Sequence, residues 1–192
     1  MIISISITEN DIIDIDSYIK QRNDIKKKIN EIKKYRRIHV GPHATFYFES
    51  YDTMLYQIQE MLFIERGGKE QMNDELKAYN PLIPKGSSLV ATLMFEIDNP
   101  VVRKNFLNSI GGIENHIFLK INNSKIFARP EDDTERTNSE GKASSVHFLH
   151  FDFNDLQKKD FLVSSSEIQL GFDHGNYQHI SILNKKIIES LG

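Results

Sequence analysis

Apolar positions recur along this chain at two different spacings, and the switches between them mark out the elements. Across residues 14–37, Tyr18, Ile25, Ile29 and Ile32 fall in one stripe at intervals of three and four, with Arg22 among them. That spacing predicts a long amphipathic helix with a narrow apolar face. Gly41-Pro42 ends any helix. Ala44, Phe46 and Phe48 then alternate with His43, Thr45, Tyr47 and Glu49, as a half-buried strand does. The helical spacing returns over residues 52–66, where Met54, Ile58, Met61 and Leu62 share a face, and stops at Gly67-Gly68. A shorter helix is predicted over 71–79, ending at the two prolines of NPLIP.

The second half of the chain reads mainly as strands. Leu89, Ala91, Leu93, Phe95 and Ile97 alternate with more polar partners. Asn99-Pro100 is a helix start, with a capping side chain and a proline at the first position, and Gly111-Gly112 closes that helix. Residues 116–121 and 125–129 predict a hairpin around Asn122-Asn123. Strands follow at 145–153 and 167–172. Ile180, Leu183, Ile187 and Leu191 predict a closing amphipathic helix. Strands and helices are intermixed and βαβ alternation is not sustained. The expected fold is therefore one α+β domain over residues 1–192, a mainly antiparallel sheet packed with helices.

The last two strands carry the first candidate chemistry. His147 and His150 in HFLH are three apart, which on a strand puts them on opposite faces. They are not a paired ligand motif. Matching apolar faces instead pairs the strands at 145–153 and 167–172 as antiparallel neighbours. Phe153 then sits opposite Ile168, Phe151 opposite Leu170, Leu149 opposite Phe172, and His147 opposite His174. Two imidazoles with Asp173 would hold a divalent metal or run acid–base chemistry. The competing reading is a pair of hydrogen-bonded histidines at the edge of a core.

The charged segment before these strands, 130–142, lacks apolar anchors and is expected to be a mobile surface loop. Its second half places Arg136 and Lys142 among small hydroxyl and amide residues, a composition suited to cradling a phosphate or carboxylate. In the helix at 52–66, Glu60 lies at the edge of the apolar stripe and Glu65 on it. A half-buried carboxylate needs a cation, and Arg36, Arg37 and Arg103 are the candidates.

Charge and composition narrow the function classes. There are 24 Lys and Arg against 27 Asp and Glu, a net charge of −3, so no global basic excess points to nucleic acid. Lys26, Lys27, Lys28, Lys33 and Lys34 crowd the first helix. Asp24 and Glu31 interrupt them, and no aromatic stacking residues stand among these lysines, so this is read as a solvated face. The chain has no cysteine, which removes disulfides, thiolate metal sites and cysteine nucleophiles. No basic, apolar leader opens the chain and no apolar run approaches the roughly 18 residues a bilayer requires. The expectation is a cytoplasmic protein without a membrane partner. Phosphate-loop, dinucleotide-binding and nucleophile-elbow patterns are absent.

Six segments carry a resemblance: VGPHATFYFES at 40–50, QIQEMLFIER at 57–66, ELKAYNPLIPKG at 75–86, ATLMFEI at 91–97, EDDTERTNSEGKASSVHFLHF at 131–151 and LGFDH at 170–174. In order and spacing they resemble an uncharacterised bacterial family, catalogued as a domain of unknown function, over nearly the whole chain. Its members are often encoded beside a rubrerythrin-like protein and an iron–sulfur protein similar to heterodisulfide-reductase subunits. The resemblance implies work in a redox or peroxide-defence module and carries over no catalytic residue. The expected function is a non-enzymatic accessory or ligand-binding protein of such a module. The alternative is a metal-dependent or acid–base enzyme on a small anionic substrate, using His147, His174 and Asp173 with Arg136 and Lys142. A third reading is a nucleic-acid or membrane-surface binder through the lysine helix.

Overall fold

The computed structural model describes residues 6–131, 136–163 and 165–192. In chain order the elements are α1 (Ile15–Lys34), β1 (Arg37–Val40), β2 (Ala44–Phe48), α2 (Tyr51–Glu65), α3 (Gly68–Tyr79) and β3 (Ser88–Phe95). They continue with α4 (Pro100–Ser109), β4 (Ile117–Ile121), β5 (Ser124–Phe127), β6 (Arg129–Pro130) and β7 (Val146–Asp152). The chain closes with α5 (Asp155–Leu162), β8 (Ile168–His174), β9 (Tyr177–Ile182) and α6 (Lys185–Leu191). Two antiparallel sheets result, ordered β1-β2-β3-β7-β6 and β5-β4-β8-β9. The α+β class and antiparallel pairing expected from the sequence are what the chain adopts.

Local signals set the element ends. Asp14 caps α1 by accepting from the Ser17 amide. Ser50 and Thr53 cap α2 reciprocally, each hydroxyl accepting the other residue's amide. Asn99 accepts from the amides of Val101 and Val102 at the start of α4. Asn122 takes a left-handed conformation, φ 51°, in the β4–β5 turn, as an asparagine there can.

The main core fills the space between the sheets. Phe46 and Phe48 of β2, Leu93 of β3 and Leu149 and Phe151 of β7 meet Leu119 of β4 and Leu170 and Phe172 of β8. This overturns the expected neighbourhood of the last two long strands. β7 lies between β3 and β6, with Leu149 opposite Ala91 and His147 opposite Leu93. β8 lies between β4 and β9, with Leu170 opposite Leu119. The apolar faces do meet, but across the sandwich rather than edge to edge. Alternation identifies which face is buried, and two stacked sheets about 10 Å apart bury matching faces as well as two paired strands do.

A second, smaller core covers the outer face of the first sheet. Met54, Ile58 and Leu62 of α2, with Ile7, Leu82 and Ile83, pack on Val90. On the outer face of β7, Phe148 packs against this smaller core in part. His147 points into the inter-sheet core and His150 to the outer face, the opposite-face arrangement expected for HFLH.

Three elements depart from the periodicity reading. Ile180 belongs to strand β9, and the closing helix begins later, after the Asn184 cap. β1 and α5 interrupt segments where no element was expected. The anchor of β9 is Tyr177, whose buried hydroxyl donates to the Val40 carbonyl and accepts from the His43 and Ala44 amides. Gly41 permits this approach: its φ is +71°, and a Cβ there would stand 2.6 Å from the His179 ring.

Candidate functional site

The histidines singled out in the sequence have separate environments. His147 is 1% exposed, its Nε2 donating to the Ser144 carbonyl at 3.0 Å and its ring edge-on to Phe95. Its Nδ1 has no partner among the described residues. His174 accepts the Asn176 amide on Nδ1 at 3.2 Å and donates from Nε2 to the Gly111 carbonyl at 3.3 Å. Both of its nitrogens are in use. Asp173 is held by Lys125 and by His116, 3.1 Å away, whose ring stacks edge-on against His174. Among the described residues no three His, Asp or Glu side chains gather where a metal would sit.

Burial pushes the His147 imidazole below its ordinary value, with the Ser144 bond and the Glu114 charge opposing and Arg136 assisting. An unfolded chain takes up this proton near pH 6.5, whereas the folded one resists until lower pH. Stability from this group is therefore complete above about pH 6.5 and is lost as pH falls through the window below it, by at most about 1.4 kcal/mol per pH unit. Urea unfolding of wild type and His147→Gln at a series of pH values should show that slope in wild type alone. Parallel profiles would assign the slope to other groups.

Loop residues 132–135, three of them acidic, lie outside the described residues. The loop's second half is pinned by hydrogen bonds, contrary to the expected free surface segment. Thr137 donates its hydroxyl to the buried Glu114 and accepts the Gly112 amide, and the Ala143 amide bonds the Leu107 carbonyl. Arg136, Lys142, Asn138 and Ser144 border a polar hollow of about 190 Å³. The proposed anion-cradling residues thus lie together, while His174 and Asp173 stand apart from them, across Gly111.

Sequence reasoning missed a larger site on the outer face of the first sheet, where α2 and α3 leave Thr92 and Met94 of β3 and Val146 and Phe148 of β7 bordering open space. A cavity of about 380 Å³ opens there. Its deep end is Glu49, 8% exposed, whose carboxylate accepts from Thr53 Oγ1 at 2.6 Å and Thr92 Oγ1 at 2.7 Å. Its walls are Met54, Leu82, Met94, Val146 and Phe148, with Tyr47, Tyr79 and Gln57. Lys33 and Arg36 from the end of α1 complete it. Arg36 donates to three carbonyls, those of Phe48, Glu49 and Ser190.

The profile described as Protein of unknown function (DUF3501) matches residues 6–192. The chain belongs to the DUF3501 family. It is also similar to a protein of unknown function from Burkholderia pseudomallei K96243, solved by crystallography. The two are 32% identical over 97% of each chain, with a TM-score of 0.90. No curated protein matches.

In this DUF3501 chain, five of the six segments quoted for the resemblance contribute residues to the one cavity: Tyr47 with Glu49, Gln57, Tyr79 with Leu82, Thr92 with Met94, and Val146 with Phe148. A signal was available for Glu49. It follows a buried strand directly and precedes the Ser50 cap, so the fold holds its carboxylate at the sheet–helix junction. The other half-buried carboxylate, Glu60, finds a partner none of the candidates supplied: Arg22 at 2.7 and 2.8 Å, with the Tyr18 hydroxyl at 2.5 Å. The lysine helix and the strand after it also gain aromatic company from other elements. The Lys33 ammonium lies 5.5 Å from the Tyr56 ring, and the Arg37 guanidinium 4.8 Å from Tyr47. No helix among the described residues is long and apolar enough to cross a membrane.

Proposed function

We propose that this protein is a non-enzymatic ligand-binding protein whose small ligand occupies the cavity over β2, β3 and β7. The observation that carries this reading is a buried carboxylate fixed by two hydroxyls at the bottom of an otherwise largely apolar pocket. Small-molecule sites have that form: roughly 300–1,000 Å³, apolar walls and a few convergent polar groups that set orientation. In the redox or peroxide-defence module that the family resemblance implies, such a protein acts as an accessory. The chain lacks cysteine, so thiol and cysteine-held cluster chemistry falls to a rubrerythrin-like or iron–sulfur partner.

Met94 offers the test. It stands on the cavity wall, 36% exposed, where a larger side chain fills the space without entering the core. Ligand-observed NMR with a fragment library should find binders of wild type that Met94→Trp no longer binds, with melting temperatures within about 2 °C of each other, as for a surface change. A library whose binders are all indifferent to the substitution would place binding elsewhere and sink the reading.

A further inference from the structure

We infer that the ligand of this cavity is a small aromatic anion, a flat ring with an N–H or O–H donor at its inner edge and a negative group at its outer one. The inference rests on the ligand-binding reading above and adds the chemical class. Three features of the cavity converge on it.

The inner end offers acceptors only. The single hydroxyl proton of Thr53 goes to Glu49 Oε2 and that of Thr92 to Oε1. A carboxylate has about four acceptor positions, and these bonds use two. A ligand atom arriving there gains most by donating, and a second acceptor would face unpaired lone pairs at a dry site.

The walls suit a flat ring. Three aromatic side chains, Tyr47, Tyr79 and Phe148, border the space together with Met54 and Met94. Aromatic faces and thioethers both favour an aromatic guest over an aliphatic one of equal area. The volume, about 380 Å³, sits near the low end for ligand sites and suits one or two rings rather than a dinucleotide.

The mouth is positive. Lys33 lines the cavity, and among the described residues its ammonium has no carboxylate partner. Arg36 adds its charge while its donors hold main-chain carbonyls. Arg37, on the Tyr47 ring, lies beside them. Of the neighbouring acids, Glu96 is engaged by the Thr45 and Tyr47 hydroxyls, and Asp52, like Glu49, offsets part of the Arg36 charge; neither Glu96 nor Asp52 borders the cavity. An anion at the mouth therefore meets cations, whereas a cation meets repulsion.

A nucleoside monophosphate and a hydroxyaryl acid are two sources of this chemistry. Calorimetric titration of the full chain with adenosine monophosphate, para-hydroxybenzoate and tyramine distinguishes them. At least one anion should bind, more weakly as salt rises, and tyramine should bind at least about tenfold more weakly. Binding of the nucleotide alone assigns the phosphate source, and of the acid alone the aryl-acid source. Lys33→Met changes a helix-surface residue and should keep the fold, weaken the anion about tenfold and flatten its salt dependence. Glu49→Gln should weaken it independently of salt. Tyramine binding as well as the anions, no binding of either anion, or an anion indifferent to Lys33→Met would each overturn the inference. In that event, fragments displaced by Met94→Trp would still uphold the pocket itself.

Discussion

Replacing Arg36 by methionine should lower the stability of the fold by roughly 3–5 kcal/mol, because three charge-assisted hydrogen bonds to main-chain carbonyls are lost together. The Arg36 guanidinium bonds the carbonyls of Phe48 and Glu49 at the end of β2 and that of Ser190 in α6. Burial lowers its pKa from the ordinary guanidinium value, with Glu49 and Asp52 acting the other way. A methionine of similar length keeps much of the packing and strands three acceptors. Each charge-assisted bond of this kind is worth about 1.5–3 kcal/mol. For a chain of this size the melting temperature should fall by roughly 10 °C. Lysine should rescue little, because one ammonium cannot span three carbonyls as a planar fork does. Arg37→Met is the control. That guanidinium is exposed on the Tyr47 ring, and its loss should cost below about 1 kcal/mol. Equal melting of the Arg36 and Arg37 variants would show that the three bonds contribute nothing. Because Arg36 links the cavity wall to α6, its loss should also expose the last helix to proteases before global unfolding.

Much of this architecture was legible because it follows from local chemistry. Asn99-Pro100, Asn122 and the Gly41-Pro42 break act within a few residues of themselves, and each does in the structure what its type dictates. Burial alternation placed Ala44, Phe46 and Phe48 on one face of β2. The pairing of β7 with β3 was not legible. It joins segments more than fifty residues apart, and alternation states which face is dry without stating which strand lies beside it. The same limit misplaced the predicted meeting of His147 and His174. His147 lies beside Glu114 and bonds the Ser144 carbonyl, whereas His174, in the other sheet, bonds the Gly111 carbonyl. In β9, Ile180 and Ile182 are exposed and Tyr177 is buried, the reverse of what an apolar stripe assumes.

The cavity was hidden for a related reason. Thr53, Thr92 and Lys33 stand on three different elements and Glu49 on the link between β2 and α2, and none belongs to a motif that chemistry makes recognisable. Glu49 reads as one more polar position in an alternating strand until Thr92, forty-three residues later, arrives beside it. A carboxylate at the end of a buried strand, followed directly by a helix cap, is a position the fold cannot leave in water. That is the signal in the sequence, and it names one residue of a site that only tertiary structure assembles.

Gly111→Ala should destabilise the protein by about 2–4 kcal/mol, combining the roughly 1–3 kcal/mol of an overpacked contact with lost hydrogen bonds. A Cβ on Gly111 would collide with the backbone carbonyl of Gly141, and a backbone atom cannot rotate away as a side chain does. The turn around Asn138 must then move as a unit. Moving it strains the Ala143 amide bond to Leu107, the Gly112 amide bond to Thr137 and the Thr137 hydroxyl bond to Glu114. Glu114 is 8% exposed and would be left with a weakened hydroxyl partner beside His147. Gly112→Ala is the informative contrast. Its φ is +78°, but no atom lies within 4 Å of the added carbon, so only the left-handed backbone is penalised, by about 1–2 kcal/mol. Hydrogen exchange separates the two. Gly111→Ala should release the amides of Lys142 and Ala143 selectively, whereas Gly112→Ala should lower protection across the chain without singling out that turn. If both variants exchange alike, the close approach of Gly111 to Gly141 does not hold the loop, and the polar hollow bordered by Arg136 and Lys142 owes its shape to contacts within the loop itself.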